Sequence, residues 1–127
     1  MLLMTLMLAS VSDPNEAEIA LAEGADIIDL QDPSKGAFAA VDLFAIKTTL
    51  DSVAGRHRVS AVCGDLPMDP GILVEAATKL AATGVDFVKL GFSPSDQTAA
   101  CIAALVSPSI SRNFSRSSMI RSALSEL

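Results

Sequence analysis

The residues of this 127-residue chain best placed to do chemistry lie in a nine-residue pattern that occurs twice. Ala22-Glu-Gly-Ala-Asp-Ile-Ile-Asp-Leu30 and Ala82-Thr-Gly-Val-Asp-Phe-Val-Lys-Leu90 match step for step, sixty residues apart. Each copy reads as a helix end, a Gly, an Asp and a short apolar strand. Asp29 and Lys89 take equivalent places near the C-terminal ends of those strands, and Gln31 shares their parity on the first. In parallel α/β folds the ligand site lies at that end of the sheet. A charged group following Ile-Ile or Phe-Val is costly to bury unless it is paired or used. Burial of a lysine favours its neutral amine, which can act as a nucleophile or a base. Lys89 is therefore the first candidate for catalysis. The alternative is a structural ion pair with Asp29.

The remaining polar residues carry less. Asp65, in Cys-Gly-Asp-Leu-Pro, reads as a turn residue. Asp32 before Pro33 is open between turn and site, and Lys35 between phosphate contact and plain solvation. His57 precedes a strand, away from the ligand end, and reads as a surface residue. Cys63 and Cys101 have no metal-type spacing and no paired base; they read as free thiols of a reducing compartment, with Cys63 packed in the core. No metal site and no cofactor is expected.

The elements that position these groups alternate. Apolar TLMLASV (5–11) predicts a strand buried on both faces, and Ser12-Asp13-Pro14 announces a helix over 15–24 that ends at Gly24. A strand over 25–30, a loop through Pro33 and Gly36, and a helix over 41–55 follow. Then come a strand at 58–63, a helix at 72–84, a strand at 85–90 and a helix at 97–106. The pattern is βα four times over, at about 30 residues per unit. Such alternation implies a parallel sheet, either an open doubly wound one or part of a (β/α)8 barrel. No GxGxxG or GxxxxGK[ST] follows any strand, which weakens nucleotide binding.

Composition excludes other classes. Net charge is −6, with 4% aromatics and neither Trp nor Tyr, so nucleic acid is a poor partner. Half the residues are hydrophobic, yet no apolar run approaches the roughly 20 residues of a bilayer span. The opening MLLMTLMLAS lacks a basic start and runs into Asp13 and Glu16, so it reads as a strand rather than a signal peptide. A cytoplasmic location is expected, with no membrane partner. From Pro108 the character changes: seven Ser and three Arg enter within twenty residues, and no fifth strand is read there. Residues 1–107 are thus expected to be the folded part. The stretch 108–127 is either a solvated or weakly helical extension, or the mark of a coding frame that ends near residue 107.

Three segments taken together, LASVSDPNEAEIALAEGADIIDLQDPSKGAFAA, VSAVCGDLP and ATGVDFVKLG, resemble the (5-formylfuran-3-yl)methyl phosphate synthases of methanofuran-type cofactor biosynthesis. The resemblance covers roughly residues 4–107. It implies a (β/α)8 barrel and a lyase that condenses two molecules of glyceraldehyde 3-phosphate to a furan aldehyde phosphate, losing phosphate and water. One lysine of the family forms a Schiff base and a second moves protons. Lys89, in Val-Asp-Phe-Val-Lys-Leu-Gly, falls on the proton-transferring lysine, and Asp29 would orient it. The family's Schiff-base lysine belongs to a motif like Asp-Leu-Lys-Asp-Pro; here Asp29-Leu-Gln-Asp-Pro33 puts Gln31 in its place. An amide cannot form an imine. A complete barrel also needs about 250 residues. Turnover by this chain alone is accordingly expected to be lost or impaired. A half-barrel exposes strand edges and an unfilled inner face, which predicts a homo-oligomer or a complementing half-barrel. The readings from other classes are a non-catalytic half-barrel assembly partner and another Schiff-base aldolase.

Overall fold

The computed structural model describes residues 5–32, 34 and 40–107, and the backbone of 119–124. Elements run β1 (Leu8–Val11), α1 (Pro14–Ala22), β2 (Ile27–Leu30), α2 (Leu43–Val53), β3 (Arg58–Val62), α3 (Pro70–Ala81), β4 (Phe87–Phe92), α4 (Thr98–Val106) and β5 (Met119–Leu124). The strands form one sheet in the order β1-β2-β3-β4-β5, every neighbour parallel.

Three helices start where an aspartate can satisfy their orphan amides. Asp13 accepts from Glu16 N–H at 2.8 Å, Asp42 from Ala45 N–H at 2.8 Å, and Asp69 from Ile72 N–H at 3.1 Å. Pro14 and Pro70 follow two of these caps in the first turn, where a missing N–H costs nothing. The proline and its cap begin α3 at Pro70, two residues before the apolar periodicity that predicted it. Much of the chain's acidic excess is spent on the backbone in this way.

The core lies between the helices and one face of the sheet. Ile28, Leu30, Val59, Ala61, Val88 and Leu90 pack against Ile46, Leu73, Ala77 and Leu105. The alternate strand residues, Leu8, Ile27, Asp29, Arg58, Ser60, Phe87 and Lys89, face the other way. Two expectations are corrected here. β1 is not buried on both faces: Leu8 is 44% exposed, because this is an edge strand whose inner side opens on solvent. A fifth strand does follow α4: Met119–Leu124 pairs with β4 through six residues, Phe87↔Met119 to Phe92↔Leu124. Its serine-rich surroundings hide a strand that ladder pairing, rather than β-propensity, holds in place.

Candidate active site

Asp29 is the centre of the inner face. It sits on β2 with 0% of its surface exposed, and three other strands, β1, β3 and β4, supply it with donors. Ser60 of β3 donates its hydroxyl to Oδ1 at 2.7 Å. Oδ2 takes Lys89 Nζ of β4 at 2.8 Å and the Ser10 hydroxyl of β1 at 3.2 Å. The register explains the convergence, for Ser10, Asp29 and Ser60 lie side by side in one row. Lys89 stands one row nearer the C-terminal end, paired in register with Val62, and reaches back to the carboxylate. Its side chain keeps 23% of its surface exposed. A buried carboxylate without such partners would be strongly unfavourable; here a cation and two hydroxyls replace the lost water.

Gln31 lies just past β2, where its N–H continues the ladder by donating to Val11 O at 3.1 Å. Two residues beyond Asp29, it falls in the row of Val62 and Lys89. Two strand spacings put its Cα roughly 10 Å from that of Lys89. A long side chain at position 31 and Lys89 could therefore reach the same small ligand. Asp32 is turned to local use: Ser34 donates both its N–H and its hydroxyl to Oδ1. Asp65 and His57 are exposed. Lys35 falls outside the described residues. Burial pushes the Cys63 thiol up to about 12, which keeps it protonated at neutral pH.

Sequence reasoning missed Ser10 and Ser60. The signal was available, since each is a polar residue in an apolar strand at the parity of Asp29. It also left Asp26 and Asp86 of the repeat without a role. Asp26 accepts the Met7 N–H at 2.7 Å and donates its own N–H to Met7 O at 2.9 Å. Asp86 does the same to Val59, at 2.9 and 2.8 Å. Each clamps its strand to the preceding one at the N-terminal end of the sheet.

A cavity of about 600 Å³ opens on the same inner face, lined by Leu6, Leu8, Ile27, Arg58, Phe87 and Lys89 among others. Most of it lies on the N-terminal side of Lys89. In a closed barrel this volume is filled by layers of side chains, so it is unfilled core rather than a substrate site. Among the described residues, no group of three or more His, Cys, Asp or Glu is placed to hold a metal ion, and no helix is long and apolar enough to cross a membrane.

The parallel βα units, helices on one face and a lysine–carboxylate pair on the other define part of a (β/α)8 barrel. Among solved structures, a dihydrodipicolinate synthase from Agrobacterium tumefaciens shares this fold with a TM-score of 0.60 at 18% identity, over 94% of this chain and 44% of that one. The family model described as 4-HFC-P synthase matches residues 7–126, and the chain belongs to that family. A protein of Methylorubrum extorquens, provisionally named a (5-formylfuran-3-yl)methyl phosphate synthase, is 41% identical over 103 residues, which are 80% of this chain and 42% of the relative. The (5-formylfuran-3-yl)methyl phosphate synthase of Methanococcus maripaludis strain C7 is 38% identical over 86 residues, 68% of this chain and 36% of the relative. The chain thus spans less than half the length of the curated relatives it matches.

Proposed function

We propose that the inner face carries part of the active site of a furan phosphate-forming lyase that works on glyceraldehyde 3-phosphate by imine chemistry. The observation that carries this is the 2.8 Å contact between Lys89 Nζ and the fully buried Asp29. A lysine held by a carboxylate can give a proton to a departing hydroxyl and, once neutral, take one from carbon. In the family chemistry an amine adds to the aldehyde carbon and the carbonyl oxygen leaves as water. The iminium then acidifies the neighbouring C–H, and elimination of phosphate follows. Lys89 is the proton carrier of these steps and Asp29 holds it in place. Gln31 stands where the imine-forming amine is needed. Its amide nitrogen shares its lone pair with the carbonyl, so a site carrying Gln31 forms no imine.

The test restores the missing amine. Gln31→Lys is made in a barrel completed with the remaining βα units of the M. extorquens relative, beside the same barrel carrying Gln31. With glyceraldehyde 3-phosphate and borohydride, the Gln31→Lys protein gains a reduced adduct by mass spectrometry and releases inorganic phosphate; the Gln31 protein does neither. A well-folded Gln31→Lys barrel that forms no adduct and no product would sink the assignment.

A further inference from the structure

The two serines that donate to Asp29 stand in different surroundings. Ser60 is 2% exposed in the middle of the sheet, whereas Ser10 lies on the edge strand with its surface open to solvent. They also hold different oxygens. Ser60 donates to Oδ1 at 2.7 Å, the oxygen opposite the one that Lys89 contacts. Ser10 donates at 3.2 Å to Oδ2, which Lys89 already occupies at 2.8 Å. The torsion that sets the plane of a carboxylate has a broad, two-fold profile. The β2 backbone therefore fixes where Asp29 sits and leaves open where its oxygens point. Lys89 needs that direction fixed. It stands one row nearer the C-terminal end of the sheet, and its side chain reaches back to Asp29 across β3. A charge-assisted hydrogen bond weakens steeply as its angle closes, so a turn of the carboxylate plane loosens the ammonium.

We propose that Ser60 is the positioning residue of this site: its hydroxyl pins Oδ1, which turns Oδ2 towards β4 and fixes the Lys89 ammonium on it. Register and burial carry the argument together. Ser60 is the direct partner of Asp29 on the adjacent strand, where one strand spacing separates the two backbones and a one-carbon side chain is long enough to bond. Because Ser60 is enclosed, no bulk water replaces its hydroxyl when that hydroxyl is removed, and Oδ1 loses a donor in a buried place. At Ser10 water supplies the donor that a substitution takes away. The two hydroxyls, alike in chemistry, are thus unequal in effect. If Ser60 only filled space, alanine, close to it in size, would leave Lys89 undisturbed.

The part Ser60 plays in turnover rests on the reading of Lys89 as the proton carrier, but its geometry is tested without turnover. In the isotope-labelled 127-residue chain, nuclear magnetic resonance reads the scalar coupling between Lys89 Nζ and the Asp29 carboxyl carbon, which persists only while the hydrogen bond keeps its alignment. Ser60→Ala, Ser60→Thr and Ser10→Ala are compared with the wild type. Alkylation of Cys101, 0% exposed on α4, reports whether the fold stays closed. Ser60→Ala is expected to reduce the coupling by about half or more and Ser10→Ala by less than about a quarter, with Cys101 protected in both. Ser60→Thr, which returns the hydroxyl, restores it. A coupling absent from the wild type or unchanged by Ser60→Ala overturns the proposal, as do equal losses from the two serines. So does a threonine variant that keeps Cys101 protected and restores nothing. Loss of coupling together with loss of Cys101 protection in Ser60→Ala would assign the serine to the fold and overturn it as well. Failure of the adduct assay on the completed barrel would remove the imine reading and leave this result standing.

Discussion

Residues 22–30 and 82–90 run through the same steps and finish in different chemistry. In both, a helix ends, a glycine turns with positive φ (+94° at Gly24, +99° at Gly84), and an aspartate clamps the preceding strand by two hydrogen bonds. Ile28 and Leu30 in one copy, Val88 and Leu90 in the other, enter the helix-side core. Of the two inward positions, the first stays apolar, Ile27 against Phe87, and the copies part in charge at the second, Asp29 against Lys89. Since β2 and β4 flank β3, the two side chains meet across a strand whose own inward residue there is the small Ser60. The framework repeats and the charge inverts, so one duplication-like pattern yields an ion pair rather than two like charges. Framework and chemistry are therefore separable, and substitutions in each copy should show it.

The largest effect is expected at the point of difference. Lys89→Met leaves Asp29 buried with two serine hydroxyls and no cation. Breaking a buried pair costs about 3–5 kcal/mol, and the partial exposure of Lys89 sets the expectation at the lower end, about 3 kcal/mol in urea unfolding. Asp29→Leu combined with Lys89→Met removes both charges and should recover most of that loss. A single variant as stable as the wild type would mean that the inversion of charge does not hold the sheet together.

The next pair of substitutions asks whether the two clamps are equal. Asp86→Ala removes an acceptor from the Val59 N–H in a partly buried place between β3 and β4. Asp26→Ala does the same to the Met7 N–H, which is exposed at the edge of the sheet, where water can replace the carboxylate. An orphaned buried donor costs about 1–3 kcal/mol and an exposed one far less. Hydrogen exchange should therefore show the β3–β4 end opening after Asp86→Ala, by about 1–2 kcal/mol, and a smaller change after Asp26→Ala. Equal losses would show that edge and centre are equally dry.

What the sequence displays of this arrangement follows from what is local. Parity along a strand is local, so the pattern places Asp29 and Lys89 on one face before any coordinates exist. Caps are local too, and Asp13-Pro14 marks α1 directly. The serines at 10 and 60 escape because a lone Ser in a strand carries no charge to demand a partner, and its partner is on another strand. The clamps of Asp26 and Asp86 escape for the same reason: each repeats visibly, but its acceptor role depends on the neighbouring strand. β5 is the extreme case. Met-Ile-Arg-Ser-Ala-Leu holds one β-branched residue, and only pairing with β4 makes it a strand.

The smallest effect tests the framework that the copies share. Gly24 and Gly84 adopt nearly the same left-handed conformation, and a Cβ added at either would meet no atom within 4 Å. Neither glycine is there to admit a close neighbour; both are there for the backbone angle alone. Alanine at each position should then cost the same amount, about 1 kcal/mol, set by the left-handed penalty for a residue with a Cβ. Packing differs around the two sites, with β1 at the edge and β3 within the sheet, so any steric contribution would separate the two values. Equal shifts in thermal unfolding for Gly24→Ala and Gly84→Ala would leave backbone conformation as their common cause. A difference larger than the cost itself would show that the repeat is a likeness of sequence whose two turns are held by different forces.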